Sequence, residues 1–348
     1  MLLVQPTLEQ KTFIRNALGE NSHNIQNEIE ILKKWLKEQP HLPDTWDEHC
    51  LFIFLMGCKF SLETCKKKLE KYFTFRTTLP EFFANRDVRR PELKELIKVV
   101  QGAVLPDLTS DGKRISIGRT AKYDFETPNI ADIVKLVFMA GDLRIKSEEI
   151  VVFDVYVVDL NFPLAKHFFK VNPLVFKKMF MCIQEAFPVI IKEVHLINAP
   201  FFSKFVINVI KAFLSPALSE VIHVHTSIET LYEFVPKNIL PEEYGGNAGK
   251  LSDLYDQWIR TFEEHRSWFE KEENIKADLS IKAVKRMSRR MEPKDIQIEL
   301  FLDLGISDFR FQAFLATLRD FSGSVVTLFA YRLCISECCV ARPTSHTT

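Results

Sequence analysis

The sequence predicts an α/β fold behind an all-helical N-terminal module, and three observations carry that expectation. Residues 24–79 repeat apolar side chains at helical spacing with no strand-like alternation. Residues 189–197 form a short apolar run, bounded by Phe187-Pro188 and by an Asn-Ala-Pro turn, that suits a strand covered on both faces. From about Ala103 onward strand-like and helix-like segments alternate, the order of a mixed sheet with helices packed on it.

The N-terminal module is helical in each of its segments. IQNEIEILKKWLKEQ places Ile25, Ile29, Ile31, Leu32, Trp35 and Leu36 at helical spacing before HLPDTW breaks the run. Asp44 is the expected cap of the next helix, DEHCLFIFLMGCKF, which stops near Gly57. Ser61 is the expected N-cap of the helix after it, with Glu63 close behind. Lys66, Lys67 and Lys68 on that helix read as a solvated face.

In the following segment, VLPDLTSDGKRISIGR sets Asp111-Gly112 between two short alternating runs, a hairpin signal. A helix in NIADIVKLVFMAGDLRI, a strand in IVVFDVYVVDL and a helix in NPLVFKKMFMCIQEAF lead to the strand at 189–197. Beyond the Asn-Ala-Pro turn, Phe202, Val206, Val209, Ile210, Phe213 and Leu214 make one wide apolar helical face. A strand in EVIHVHTS, a helix through IETLYEFVP and a more polar helix pair over 251–285 complete the pattern. The expected division is an N-terminal arm at 1–23, a helical module at 24–95, an α/β domain at 96–250, C-terminal helices at 251–285 and a poorly ordered tail at 286–348. The apolar run near the C-terminus contains Arg332 and Glu337, which argues against a spanning helix.

Composition excludes several function classes. Lysine plus arginine and aspartate plus glutamate both number 46 in the 348 residues, so no global field attracts nucleic acid. The 30 phenylalanines and the 47% hydrophobic content provide more apolar side chain than a minimal core needs, as an aromatic-lined cavity would require. The first residues have no basic region ahead of an uninterrupted apolar stretch, and the seven cysteines lack paired spacing, so the expectation is a cytoplasmic protein with reduced thiols.

Motifs of common enzymes are absent: there is no G-x-S-x-G, no phosphate loop, no G-x-G-x-x-G and no H-E-x-x-H. His223 and His225 share a strand face, but no third ligand accompanies them at metal-site spacing, so no metal is expected. Asp154 and Asp159 flank Tyr156 in an apolar strand without a visible catalytic partner.

Phe187-Pro188, His195-Leu196-Ile197-Asn198-Ala199-Pro200, Ile222-His223-Val224-His225 and Leu240-Pro241-Glu242-Glu243-Tyr244-Gly245-Gly246 together resemble the spine of the CRAL-TRIO (Sec14-like) lipid-binding family. The likeness is to its branch of tocopherol-transfer, retinaldehyde-binding and clavesin proteins, and FLMGCKFSLETCKKKLEKYFTFR resembles that family's N-terminal helical module.

This resemblance implies a CRAL-TRIO mixed β-sheet with flanking helices and a hydrophobic lipid pocket. It implies a non-enzymatic carrier without a cofactor other than its lipid, which is tocopherol-, retinoid- or phosphoinositide-like. The carrier would be a monomer that meets membrane surfaces transiently and peripherally; the alternative is a lipid or phosphoinositide sensor that does not transfer its ligand and regulates a protein partner. The implied wall takes Leu136 and Ala140 from the helix before the long strand, Tyr156 and Val158 from that strand, and Met179 and Cys182 from the next helix. Phe187, Val189, Ile191 and Val194 continue it, and a gate of Phe202, Val206, Val209, Ile210 and Phe213 closes it. Lys192 and Lys211 match phosphoinositide-reading positions. The family's other basic positions there hold Met56, Cys58, Ile190 and Ala217, which argues against phosphoinositide-coupled release. Where tocopherol carriers have wall serines, this chain has Leu136 and Ala140, so a ligand hydroxyl would look instead to Tyr156 and Asp154.

Overall fold

A computed structural model describes residues 3–20, 23–121, 129–161, 173–199, 207, 211 and 214–281. Helices α1 (Leu8–Leu18), α2 (Ile25–Lys37), α3 (Glu48–Gly57) and α4 (Leu62–Thr78) precede the short helices α5 (Pro80–Phe83) and α6 (Pro91–Ile97). Ser61 caps α4 as expected, accepting from the Thr64 N–H. The cap of α3 is Asp47, not Asp44, because its carboxylate reaches the N–H groups of His49 and Cys50.

Strands β1 (Val100–Leu108) and β2 (Arg114–Thr120) form the expected antiparallel hairpin, with Gly112 at φ +77° in its turn. Helix α7 (Ile130–Ser147) connects to β3 (Phe153–Asp159), which lies parallel to β2. Helix α8 (Pro173–Met181) runs into one π-helical turn at Cys182–Ala186 and then into β4 (Ile190–Ile197). A short helix α9 (Pro216–Glu220) precedes β5 (Ile222–Val224), and the sheet runs β1-β2-β3-β4-β5 with its last three pairings parallel. Residues 229–233, expected as part of a helix, form only a 3-10 turn before helices α10 (Leu251–Glu264) and α11 (Arg266–Glu272). Pro236 lies three residues past that turn and cannot donate to a longer ladder.

Two apolar cores hold these elements. The first joins α2, α3, α4 and α5 to one face of α7 and to Phe153, Cys182 and Phe187. The second packs Leu136, Met139 and Leu143 of α7 against Ile115, Ile117, Val155 and Val157 of the sheet, with Trp258 and Phe262 of α10. Helix α7 is thus shared between the helical module and the sheet, and this fixes one against the other.

Polar contacts reinforce that junction. Asp142 of α7 accepts from Arg76 Nη2 (2.6 Å), Arg86 Nη1 (2.6 Å) and Tyr72 Oη (3.1 Å), all inside the protein. Lys68 is not on a solvated face as expected: it is half-buried and donates to the Phe187 carbonyl at 2.6 Å. The C-terminal turn of α3 lies so near Pro188 that a Cβ on Gly57 would sit 2.2 Å from its carbonyl oxygen.

Candidate functional site

The Phe187-Pro188 segment and α7 form two sides of an internal cleft. Val137, Phe138, Gly141 and Ile145 line it from α7, Ile53 from α3, and Ile183, Phe187, Pro188 and Val189 from the approach to β4. Val151 and Tyr156 close the sheet side, and Arg144 and Glu148 supply the charged part of the wall. The enclosed space is about 40 Å3, room for a few waters or for one end of an elongated molecule.

Local packing sets these walls. Phe187 stacks on Phe138 with centroids 4.8 Å apart and meets Tyr72 edge-on at 5.7 Å. Gly141 allows that approach, since a Cβ there would lie 3.1 Å from Phe187 Cε1. The Phe187 N–H closes the π-helical turn on the Cys182 carbonyl at 3.0 Å.

The charged part of the wall is a closed network. Arg144 grips Asp154 with two bonds, Nη1 to Oδ2 at 3.0 Å and Nη2 to Oδ1 at 2.7 Å, and its Nε donates to Glu148 Oε2 at 2.7 Å. Glu148 Oε1 accepts from Arg114 Nε at 2.6 Å, and Arg114 also donates to the carbonyls of Val4, Leu105 and Pro106. Tyr156 Oη donates to Asp154 Oδ2 at 3.1 Å. Burial and then the Asp154 charge push the Tyr156 phenol up, so it stays protonated near neutral pH. Burial opposes the Arg144 charge, but Asp154 and Glu148 outweigh it and hold the guanidinium charged.

Of the residues the resemblance implies, Tyr156, Phe187 and Val189 line the cleft. Val158 and Val194 are half-buried on the same sheet face as Tyr156, which pairs with Val194, and Ile191 pairs with Asp154 beside a register shift. Met179 and Cys182 pack into the first core. Leu136 and Ala140 turn to the second core, and the cleft takes Val137 and Gly141, one position later on α7. Phe202, Val206, Val209, Ile210 and Phe213 lie outside the described residues. Lys192 sits 4.1 Å over the Phe153 ring, where burial and then Lys59 push its ammonium down; Lys211 is half-buried.

Arg144, Glu148, Val137 and Gly141 were not among the expected wall residues. A signal for two of them was present: Arg144 and Glu148 are one helical turn apart at the end of α7, shortly before a carboxylate in an apolar strand.

The signature residues after the cleft are structural. Asp159 accepts from Asn198 Nδ2 and from Tyr244 Oη, both at 3.0 Å, so one carboxylate joins the Asn-Ala-Pro turn to the LPEEYGG segment. Asn198 adopts φ +52°, and a Cβ on Gly246 would lie 1.9 Å from the Leu240 carbonyl. Asp154 and Asp159 are thus both engaged in structural pairs.

A third histidine joins His223 and His225 through the register that pairs His195 with His223. His195 Nδ1 lies 2.9 Å from His225 Nε2, and His225 Nδ1 lies 2.8 Å from Thr230 Oγ1, so these nitrogens serve hydrogen bonds. Among the described residues no group of His, Cys, Asp and Glu is arranged to hold a metal ion.

Burial, then His195, push both His223 and His225 below the usual imidazole range. In the unfolded chain these rings take up protons below about pH 6.5, before the folded state does. Stability is therefore full above that pH and falls as pH drops. The thermal midpoint should be lower at pH 5.5 than at 7.5, and a His223→Gln/His225→Gln variant should lose part of that dependence. Equal slopes in the two proteins would contradict this origin.

The two family models that match the chain agree with this architecture. Residues 21–93 match the family model described as Pinta-like, UBA domain, and residues 100–246 match the CRAL/TRIO domain. The mouse alpha-tocopherol transfer protein-like protein is 29% identical over 246 residues, which cover 69% of this chain and 70% of that one. Human clavesin-2 is 23% identical over 288 residues, covering 81% and 86% respectively. The crystal structure of Sfh5 aligns with a TM-score of 0.41 at 13% identity, over 76% of this chain and 99% of that one. No helix among the described residues is long and apolar enough to cross a membrane.

Proposed function

We propose, from the premise that this chain belongs to the CRAL/TRIO lipid-binding family, that it carries one hydrophobic lipid in an internal pocket and exchanges it at membranes without chemical turnover. The observation that supports this most is the cleft between α7 and the Phe187-Pro188 segment, apolar on nearly every side. Its deep end has room for one end of a lipid, and the remaining chain would lie along the half-buried sheet face of Tyr156, Val158, Val194 and Ile222. Each methylene buried there contributes about 0.8 kcal/mol, so a long chain is held without strong polar contacts. Phe202, Val206, Val209, Ile210 and Phe213 serve as the gate in this reading.

The test uses the full chain with donor and acceptor phosphatidylcholine vesicles. The donors carry tocopherol, retinol or phosphatidylinositol in fluorescent form. A carrier raises the rate of appearance in acceptors for at least one lipid, in proportion to protein concentration. Stoichiometric binding without faster transfer would replace the carrier by a lipid sensor that acts on a protein partner. No binding of any of the three would remove the lipid reading for these classes.

A further inference from the structure

Two thiols meet where the helical module touches the Phe187-Pro188 segment. Cys58 caps the end of α3, and Cys65 lies near the start of α4. Lys59 and Phe60 between them both adopt positive φ, +50° and +59°, in a tight turn. Across this turn the Cys58 and Cys65 thiols are hydrogen-bonded to each other, and neither is in a disulfide. Both are buried in the first core, and Cys58 is followed by the exposed Lys59. The bond from Cys65, aided by the Lys68 charge, pulls the Cys58 thiol below its ordinary value against burial, while the same bond and burial push Cys65 up. Cys58 therefore has thiolate character and Cys65 keeps its proton, the division of roles between an attacking and a resolving sulfur. Burial pushes the Cys50 thiol up to about 12 and raises Cys182 as well, so these two stay protonated.

The pair adjoins the cleft wall on two sides. Gly57, the residue before Cys58, packs against the Pro188 carbonyl. Lys68, three residues after Cys65, holds the Phe187 carbonyl at 2.6 Å. Burial pushes the Lys68 ammonium down, and the charges of Cys58 and then Cys65 oppose that push. From this placement we propose that Cys58 and Cys65 form a redox-modification site, which a hydroperoxide converts to a disulfide, and that this disulfide loosens the Phe187-Pro188 wall of the cleft. The Cys58 thiolate attacks a peroxide oxygen and the O–O bond breaks, giving a sulfenic acid on Cys58 and an alkoxide or hydroxide that takes up a proton. The Cys65 sulfur then attacks the Cys58 sulfur, the S–O bond breaks, and the hydroxyl leaves with the Cys65 proton as water. Two thiols give up two electrons, and the hydroperoxide becomes an alcohol and water. The sulfurs close from hydrogen-bond contact to a bond of about 2 Å, which draws the ends of α3 and α4 together. The thiolate charge that offsets the burial of Lys68 is lost at the same time, and Lys68 lets go of the Phe187 carbonyl. None of these steps depends on which lipid the cleft holds.

The test treats the full chain with hydrogen peroxide, blocks the remaining thiols with N-ethylmaleimide and digests with trypsin. Mass spectrometry should find peptides 38–59 and 60–66 joined, lighter by two hydrogens than their sum. Peptide 38–59 also contains Cys50, so the link should persist in Cys50→Ser and disappear in Cys58→Ser and in Cys65→Ser. In the disulfide form the Phe187 amide, which bonds the Cys182 carbonyl, should exchange its hydrogen about tenfold faster, the value of one hydrogen bond, and dithiothreitol should restore the slow rate. Lys68→Met should speed the same amide without peroxide, and Cys58→Ser should show no peroxide response there. A link through Cys50, or no link under conditions that fully oxidise glutathione, would overturn the site. A Cys58–Cys65 link that leaves Phe187 exchange unchanged would overturn its coupling to the cleft wall.

Discussion

Replacement of Asp142 by alanine is expected to lower the unfolding free energy by about 3–5 kcal/mol, the range for removing one partner from a buried ion pair. Asp142, Arg76 and Arg86 are each 5% exposed or less, and the one carboxylate bridges both guanidiniums at 2.6 Å. Without it, two like charges remain inside the protein, and the Tyr72 hydroxyl loses its acceptor. Burial opposes both guanidinium charges: it pushes Arg86 below its ordinary value, and for Arg76 only the nearby acids, Asp142 foremost, outweigh it. Asp87→Ala is the matched control, because Asp87 pairs with the more exposed Arg89 and Arg266 and should cost under about 1 kcal/mol. Urea unfolding of the two variants against the parent decides the matter. A loss below about 1 kcal/mol for Asp142→Ala would mean that Glu272, whose carboxyl burial pushes up, takes over as counter-ion. Because Asp142 adjoins Gly141 in the cleft wall, the same variant should also bind lipid less well at temperatures where it is still folded.

The Asp142 network also marks the limit of what the sequence discloses. The hairpin around Asp111-Gly112 and the cap at Ser61 are legible because each depends on residues within a few positions. Three of the four buried arginines among the described residues, Arg76, Arg86 and Arg114, by contrast, look like ordinary surface residues in one dimension. Arg76 and Arg86 find Asp142 66 and 56 residues away, and Arg114 finds Glu148 34 residues away. Helix α7 presents a second difficulty. Apolar residues occupy nearly every position from Ile133 to Ala140, since the helix packs against two cores, so its periodicity has no single phase. The cleft-facing stripe therefore could not be separated from Leu136 and Ala140, and it lies at Val137 and Gly141. The histidine cluster was hidden for a related reason: His195 reaches His223 and His225 only through the β4–β5 register.

Val137→Trp is expected to reduce lipid uptake by at least tenfold while leaving the fold intact. Val137 lies in the cleft wall, yet it is 45% exposed, so a larger side chain meets no packed core and should change stability by no more than about 0.5 kcal/mol. The indole is far larger than the valine it replaces, and the cleft encloses only about 40 Å3, so an inward rotamer would fill the space proposed for one end of the lipid. Displacing the chain by even two methylenes from its site would forfeit about 1.6 kcal/mol at about 0.8 kcal/mol each, which is already past tenfold. Equally strong uptake by Val137→Trp and the parent, at matched urea midpoints, would place the lipid elsewhere in the fold. Gly141→Leu provides the complementary case. Its side chain must displace Phe187, which already lies 3.1 Å from a Cβ built at that position, so binding and stability should fall together. Loss of uptake without loss of stability in the first variant, beside loss of both in the second, separates a wall that touches ligand from one that only supports it.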